Sequence, residues 1–211
     1  MTRVWHNPSF SRGLQGCFLL RKSAGTAHFR GAKGDIIFNM TSLETNEMNE
    51  PFFKKYIDLI ESGTDLTSMM REQGSEIACW LGTISELDSM KLHAPYTWTL
   101  KEVINHLSDC ERVFSFRALW IARGGTMPLV PFDENEFSLR AQANEVSLLH
   151  LAAEFKAIRQ STILLFENLP LGAWQNVGQA LGHDITVEKQ ATILLGHVAH
   201  HWKILMQRFS F

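Results

Sequence analysis

Residues 98–125 read WTLKEVINHLSDCERVFSFRALWIARGG, and this stretch marks both ends of one long helix. Thr99 and Glu102 fit the capping box that opens many helices. The pair Gly124 and Gly125 is a strong signal for a C-terminal helix end. The stretch therefore predicts a helix that begins at Thr99 and runs to about Arg123.

One side of this helix faces the interior and carries a histidine. The inward positions follow one another at helical spacing and are Val103, His106, Cys110, Val113 and Arg117. One imidazole is thus expected inside the protein.

A second helix pattern, near the C-terminus, places two more histidines on an inward side. It runs from about Thr186 to Arg208, and Leu194, His197, His201 and Leu205 follow steps of three, four and four residues. Residues four apart on a helix project side by side, and His-x-x-x-His is a standard way to present two nitrogen ligands to one metal.

Two further long helices and one short helix complete the pattern. A short amphipathic stretch covers 52–57, a longer one covers 66–84, and a third helix reads from Ser147 to about Leu169. No strand-like alternation is visible, and the connection 124–146 is long. We therefore predict an all-α four-helix bundle with a long crossover loop between its second and third helices.

Length and composition favour one globular domain after an N-terminal extension. The chain has 211 residues, of which 45% are apolar, so it can build a full core. Residues 1–47 are glycine-rich and show no helical or strand-like periodicity, which predicts a flexible extension. This extension either resembles a transit peptide or arises from a start codon chosen upstream of Met40 or Met48. The predicted domain covers 48–211.

Charge and cysteine content exclude several functional classes. A net charge of -2 gives no support for nucleic-acid or membrane-surface binding, and no apolar stretch is long enough to span a bilayer. Three scattered cysteines do not suggest a disulfide framework. We expect a cytoplasmic protein with no nucleic-acid or membrane partner.

The three inward histidines, His106, His197 and His201, suggest a metal site. Each taken alone is more often an ordinary buried histidine. A shared cation, however, satisfies one nitrogen on all three. His200 could replace His201 beside His197, but it continues the inward stripe less well, so we assign it to a supporting position or an interface. Cys110 is either a fourth, soft ligand or a small core residue.

Two charged side chains near the histidines each have two possible roles. Asp109 lies one turn from His106 and either accepts its free ring N–H or faces solvent. Arg117 either anchors an anionic substrate or closes a buried ion pair. Glu102 is accounted for by its capping role.

Other charged and histidine residues carry weaker expectations. Glu111 is expected to pair with a neighbouring helix. The loop acids either approach the open side of a metal or belong to a solvated loop; they are Asp133, Glu134 and Glu136. The remaining histidines are expected to be surface groups; they are His6, His28, His93, His150 and His183.

Four segments together resemble DinB-like domain proteins of the DinB/YfiT-like superfamily. They are residues 98–112, 117–124 and 128–135, and the closing sequence Gly196-His197-Val198-Ala199-His200-His201. The resemblance covers roughly residues 48–211. It departs before Trp98, where His93 and Tyr96-Thr97 replace a more usual aromatic and Gly-Lys.

This resemblance implies a four-helix bundle, often dimeric, whose metal is bound by His106, His197 and His201. Members with known chemistry are thiol-dependent transferases and isomerases, in which the metal activates a low-molecular-weight thiol, and many others carry only the label of metal-dependent hydrolase. The metals are zinc, nickel, iron or manganese, and we expect zinc or nickel here. The substrate would be a small molecule.

Two other functions remain open at this point. A non-catalytic metal-binding or structural protein, such as a stress-related dimer, would have the same histidines. Nucleic-acid binding through the basic N-terminal segment is disfavoured, because that segment lies outside the domain.

Overall fold

The computed structural model describes residues 26–31, 34–39, 51–180 and 182–209. The chain divides into two units, Met1–Asn49 and Glu50–Phe211. In the first unit the described residues form an antiparallel hairpin of β1 (Thr26–Gly31) and β2 (Gly34–Asn39). The expectation that no strands occur is wrong for this hairpin. β1 alternates between polar and apolar residues over 26–30, whereas β2 contains the continuous apolar run Ile36-Ile37-Phe38.

Four long helices dominate the second unit, as predicted. They are α2 (Leu66–Leu81), α4 (Leu100–Ala122), α6 (Leu148–Glu167) and α7 (Val187–Arg208). The short α-helix α1 (Lys54–Ile57) precedes them, and α3 (Glu86–Ser89) and α5 (Glu134–Ala141) lie between them along the chain. Among the described residues, no helix combines the length and the apolar character that a membrane crossing requires.

The order of the helices in the bundle differs from simple up-and-down wiring. α2 and α4 each pack against both α6 and α7. Two pairs of consecutive long helices, α2 with α4 and α6 with α7, are therefore diagonal in the bundle rather than adjacent. The connection between α4 and α6, where the crossover loop was expected, joins adjacent helices, and the diagonal connections are the first and the third.

Local side-chain chemistry explains where the long helices begin. The capping box of α4 is formed: the Thr99 N–H donates to Glu102 at 2.8 Å, and the Glu102 N–H donates to the Thr99 hydroxyl at 3.2 Å. Asp65, Ser147 and Thr186 cap α2, α6 and α7 in the same general way. Gly124 follows α4 with a φ of 77°, as its predicted end requires.

The apolar core forms two clusters along the bundle. One includes Met70, Phe114, Ile163 and Leu194, and the other includes Ile77, Val103, Phe155 and Leu205. Polar side chains lie near the boundary between them on every long helix, namely Gln73, His106, Glu111, Arg159 and His197. A polar layer therefore crosses the middle of the bundle.

A buried ion pair lies within this polar layer. Arg159 donates through Nε and Nη2 to one oxygen of Glu111, at 3.0 and 2.8 Å. The same guanidinium donates to the Gln73 side chain, whose amide in turn donates to the Leu195 carbonyl. These contacts join all four long helices. They confirm the prediction that Glu111 pairs with a neighbouring helix.

Two elements between the long helices depart from the sequence expectation. Residues 133–136, read as a loop, begin helix α5, because the Asp133 carboxylate accepts the N–H groups of Asn135 and Glu136. A second hairpin pairs β3 (Val177–Ala180) with β4 (His183–Thr186). The Leu129 N–H donates to Gln179 O of this hairpin, which holds the connection after α4 in place.

Helix α1 approaches α7 closely at Gly196. A Cβ atom on Gly196 would overlap the main-chain carbonyl of Tyr56. The glycine within α7 therefore allows contact between two backbones, which explains a residue that is otherwise unfavourable in the middle of a helix. Tyr56 is placed beside His197 as a result.

We predict that Gly196→Ala destabilises the protein. The substitution improves helix propensity by up to about 1 kcal/mol, but the overlap with the Tyr56 backbone costs about 1–3 kcal/mol or more. The free energy of unfolding, measured by chemical denaturation, should fall. The matched control is Gly172→Ala, whose Cβ would meet nothing within 4 Å; this variant should be neutral or slightly more stable. A gain in stability for Gly196→Ala would contradict the close approach.

Candidate metal centre

Three histidines from two helices meet in one small region. His106 lies on α4, and His197 and His201 lie one turn apart on α7. One nitrogen from each ring lies within 4.8 Å of the other two. The Nε2 atoms of His106 and His197 are 3.1 Å apart, a distance at which one neutral ring can donate to the other. The structure thus brings together the three residues that the sequence pattern singled out.

Burial keeps these imidazoles unprotonated. His106 and His197 are 6% and 4% exposed, and His201 is half-buried. Desolvation lowers the pKa of His106 to about 4. Desolvation, followed by repulsion from His106, lowers the pKa of His201 to about 3. Desolvation also holds the pKa of His197 well below its usual range, and repulsion from His201 adds to this effect. All three therefore offer neutral nitrogens near pH 7.

The three rings line a cavity of about 530 Å³. Its walls are largely aromatic, with Tyr56, Trp98, Phe114 and Phe132 among the lining residues. A small molecule that enters the cavity can therefore reach the histidine cluster while contacting apolar side chains.

His200 lies beside the cluster but outside it. Its ring is half-buried, contacts the His201 ring at 5.2 Å between centroids, and lines the same cavity. The three-nitrogen group contains His201 and not His200. The choice made from the inward stripe agrees with this geometry.

Tyr56 is a site residue that the sequence did not reveal. Its ring packs edge-on against His197 and His200, with centroids 5.2 and 5.6 Å apart. Burial, followed by the nearby Glu134 carboxylate, raises the pKa of Tyr56 to about 12, so the phenol stays protonated. The available signal in the sequence was Gly196, directly before His197, because a glycine in the middle of a helix can mark the close approach of another backbone.

Cys110 lies one turn from His106 in the core. Its Sγ is 3.5 Å from Nδ1 and 3.6 Å from Nε2 of His106. Burial raises the pKa of the Cys110 thiol, so it stays protonated in the metal-free chain. Cys110 is not a member of the nitrogen cluster, and its position fits the core reading better than a fourth ligand.

Asp109 does not support His106. Its carboxylate accepts a hydrogen bond from Asn105 at 2.9 Å and lies 3.4 Å from Arg112, which also pairs with Glu154 at 2.6 Å. Asp109 lies one turn from His106 along α4, but its side chain is on the side of the helix that faces α6. Of the two readings for Asp109, these contacts do not support the hydrogen bond to His106.

Arg117 is buried beside the cavity, with only 3% of its surface exposed. It donates to the Val130 carbonyl at 2.9 Å and lies over the rings of Phe114 and Phe132. Within the part of the chain that the structure describes, no carboxylate lies within ion-pairing distance of it. The buried ion pair considered for Arg117 is therefore absent from those residues.

The three loop acids have different positions. Asp133 caps α5 and Glu136 pairs with Arg140 at 3.0 Å, so both serve the short helix. Glu134 lines the cavity with the histidines. Only this acid among the three reaches the cavity, and the other two fit the solvated-loop reading.

Among the remaining histidines, His93 differs from its expected surface position. It is half-buried, its Nδ1 lies 2.6 Å from the Arg208 carbonyl, and its ring packs on Phe209. His150 and His183 are exposed. His6 and the side chain of His28 lie outside the described residues.

The comparisons with known proteins agree with this fold. Residues 40–205 match the model of the DinB superfamily. No curated protein sequence matches the chain significantly.

Two solved structures have a similar fold at low sequence identity. YfiT from Bacillus subtilis, described as a probable metal-dependent hydrolase with an unusual four-helix bundle topology, is 15% identical, with a TM-score of 0.60 over 79% of this chain and 92% of that one. The mycothiol-dependent maleylpyruvate isomerase is 14% identical, with a TM-score of 0.57 over 69% of this chain and 60% of that one. With the family match over most of its length, the chain belongs to the DinB superfamily.

Proposed function

We propose that this protein is a metal-dependent enzyme that acts on a small molecule. His106, His197 and His201 would hold one divalent transition metal, which activates a thiol or a water molecule. The observation that carries the proposal is the convergence of three neutral imidazoles, within 4.8 Å of one another, on one side of an aromatic cavity.

The distance between the His106 and His197 nitrogens suits one shared cation. Nitrogens bound to one tetrahedral zinc at about 2.0–2.1 Å lie about 3.3 Å apart. The 3.1 Å between the His106 and His197 nitrogens is close to this value. Three imidazoles favour zinc, nickel or iron over the oxygen-preferring ions. We expect zinc or nickel, with iron or manganese as alternatives.

Such a metal, when bound, lowers the pKa of a coordinated water or thiol and supplies a nucleophile near neutral pH. The protein's own residues would orient and shield the reactants. Trp98, Phe114 and Phe132 exclude water from the cavity walls, and the protonated Tyr56 phenol offers a hydrogen-bond donor. Cys110, held as a thiol, is an unsuitable nucleophile in the metal-free chain.

Water and a low-molecular-weight thiol are both open as the attacking group. The likeness to a mycothiol-dependent isomerase supports the thiol, and the likeness to YfiT supports hydrolysis. The fold alone does not separate them. The alternative of a non-catalytic metal-binding or structural protein is less favoured, because its histidines would have no need of a cavity that admits a small molecule. The homodimer and the cytoplasmic location stay predictions.

We predict that purified protein, prepared without a polyhistidine tag or chelator, carries about one equivalent of metal. His106→Ala, His197→Ala and His201→Ala should each remove it, because each variant leaves two ligands where three are needed. Elemental analysis of the wild type and the variants measures this.

The matched control is His200→Ala, which removes a neighbouring imidazole from the same helix and should keep the metal. If the His200 variant lost its metal while the His201 variant kept it, the ligand set on α7 would be wrong. Failure of the wild type to bind added zinc or nickel would remove the case for an enzyme.

The metal-free protein should lose stability as the pH falls from about 6.5 towards 4. An unfolded imidazole has a pKa near 6.5, whereas burial lowers that of His106 to about 4. Between these values the unfolded chain binds protons that the folded chain does not, so the free energy of unfolding decreases as pH falls. Each such imidazole contributes up to about 1.4 kcal/mol per pH unit.

Chemical denaturation of chelator-treated protein between pH 7 and 4.5 tests this pH dependence. His106→Gln should reduce the slope, whereas His150→Gln, which alters an exposed histidine, should leave it unchanged. Equal slopes in the wild type and His106→Gln would show that the buried imidazole does not control the acid sensitivity.

A further inference from the structure

Arg117 has a guanidinium group that no carboxylate among the described residues neutralises. Only 3% of the residue is exposed to solvent, and the guanidinium donates a hydrogen bond to the Val130 carbonyl. Among the described residues no carboxylate lies within ion-pairing distance. A buried cation without a counter-charge is costly, and desolvation accordingly lowers the pKa of Arg117. An anion from outside the chain would remove this cost.

The position of Arg117 relative to the histidines gives this observation a functional meaning. Its Cζ lies 5.7 Å from the centre of the Phe114 ring, and that ring lies 5.4 Å from the His197 ring. Arg117 and the three histidines line the same cavity. One aromatic side chain thus separates a free guanidinium from the candidate metal centre.

We propose that the cavity binds a small carboxylate whose apolar or aromatic body lies between Arg117 and the histidine cluster. Arg117 would pair with the carboxylate, and Phe114, Phe132 and Trp98 would contact the body. This inference rests on the proposed function for the identity of the reacting group, and it names the class of molecule that the same site takes.

The side-chain charges around the cavity of the metal-free chain favour a carboxylate over a phosphate. The ionisable side chains other than the histidines, Tyr56 and Cys110 are Lys55, Arg117 and Glu134, which together carry one net positive charge. In the metal-free chain a single negative charge balances this set, whereas a doubly charged phosphate would face Glu134 without enough cations. The planar guanidinium also matches the geometry of a carboxylate.

Binding of matched acids and alcohols to the full chain tests the proposal. The probes are a panel of arylalkyl and straight-chain carboxylates with the corresponding alcohols, such as phenylpropionate with phenylpropanol. Calorimetry on metal-free and zinc-loaded protein should show that at least one acid binds about tenfold or more tightly than its alcohol. Arg117→Met should abolish this preference, and Arg117→Lys should keep part of it.

Arg112→Met is the matched control, because Arg112 lies on the same helix, is exposed and pairs with Glu154. It should keep the preference for the acid. Thermal unfolding of each variant establishes that it is folded. If Arg117→Met does not fold, the conservative Arg117→Lys variant still tests the role of Arg117. The proposal is overturned if no acid in the panel is preferred, or if Arg117→Met and Arg117→Lys both bind acid and alcohol as the wild type does.

A second arm distinguishes the source of the carboxylate. Mercaptocarboxylates and mercaptoalcohols of equal length are titrated into cobalt-loaded protein, and thiolate binding is followed by visible absorption. If only the thiol probes show an Arg117-dependent preference for the acid, the carboxylate belongs to the thiol reactant. If thiol-free acids show the same preference, the carboxylate belongs to the second reactant. Both results support the anion site. Absence of cobalt binding would instead count against the metal centre, and the metal-free calorimetry would still decide the role of Arg117.

Discussion

Burial of three imidazoles between α4 and α7 is the constraint around which the domain is arranged. Two of the rings are at least nine-tenths buried, and desolvation keeps all three neutral. A neutral ring still needs a partner for its polar nitrogens. The two helices must therefore hold the nitrogens close together, and α1 approaches α7 through Gly196 so that Tyr56 covers one side of the cluster.

The polar layer across the bundle extends this constraint to the other helices. On the side away from the cavity, the buried pair of Arg159 and Glu111 joins α6 to α4, and Gln73 links the pair to α2 and α7. Breaking a buried pair of this kind by removing one partner typically costs about 3–5 kcal/mol. The layer thus fixes the relative positions of the helices that carry the histidines, and the apolar clusters above and below it supply the burial energy.

Much of this arrangement was accessible from the sequence, because helix ends and inward stripes are local patterns. Thr99, Glu102 and Gly124 marked α4, and spacing alone placed the three histidines inward. Long-range contacts were not accessible. Nothing near Tyr56 indicates that α1 packs on α7, and Arg159 reads as a surface residue until Glu111 is opposite it. For Asp109 two readings stayed open, because helical spacing gives the position of a side chain along the helix and not which neighbouring helix it faces.

If the proposed metal centre is correct, three imidazoles and no sulfur hold one metal at the cavity. X-ray absorption at the zinc edge, on protein loaded with one equivalent of zinc, measures these ligands. We expect three imidazole nitrogens at about 2.0–2.1 Å together with one or more light-atom ligands from solvent. A sulfur neighbour at about 2.3 Å, which would implicate Cys110, or a shell with fewer than three imidazoles would contradict it.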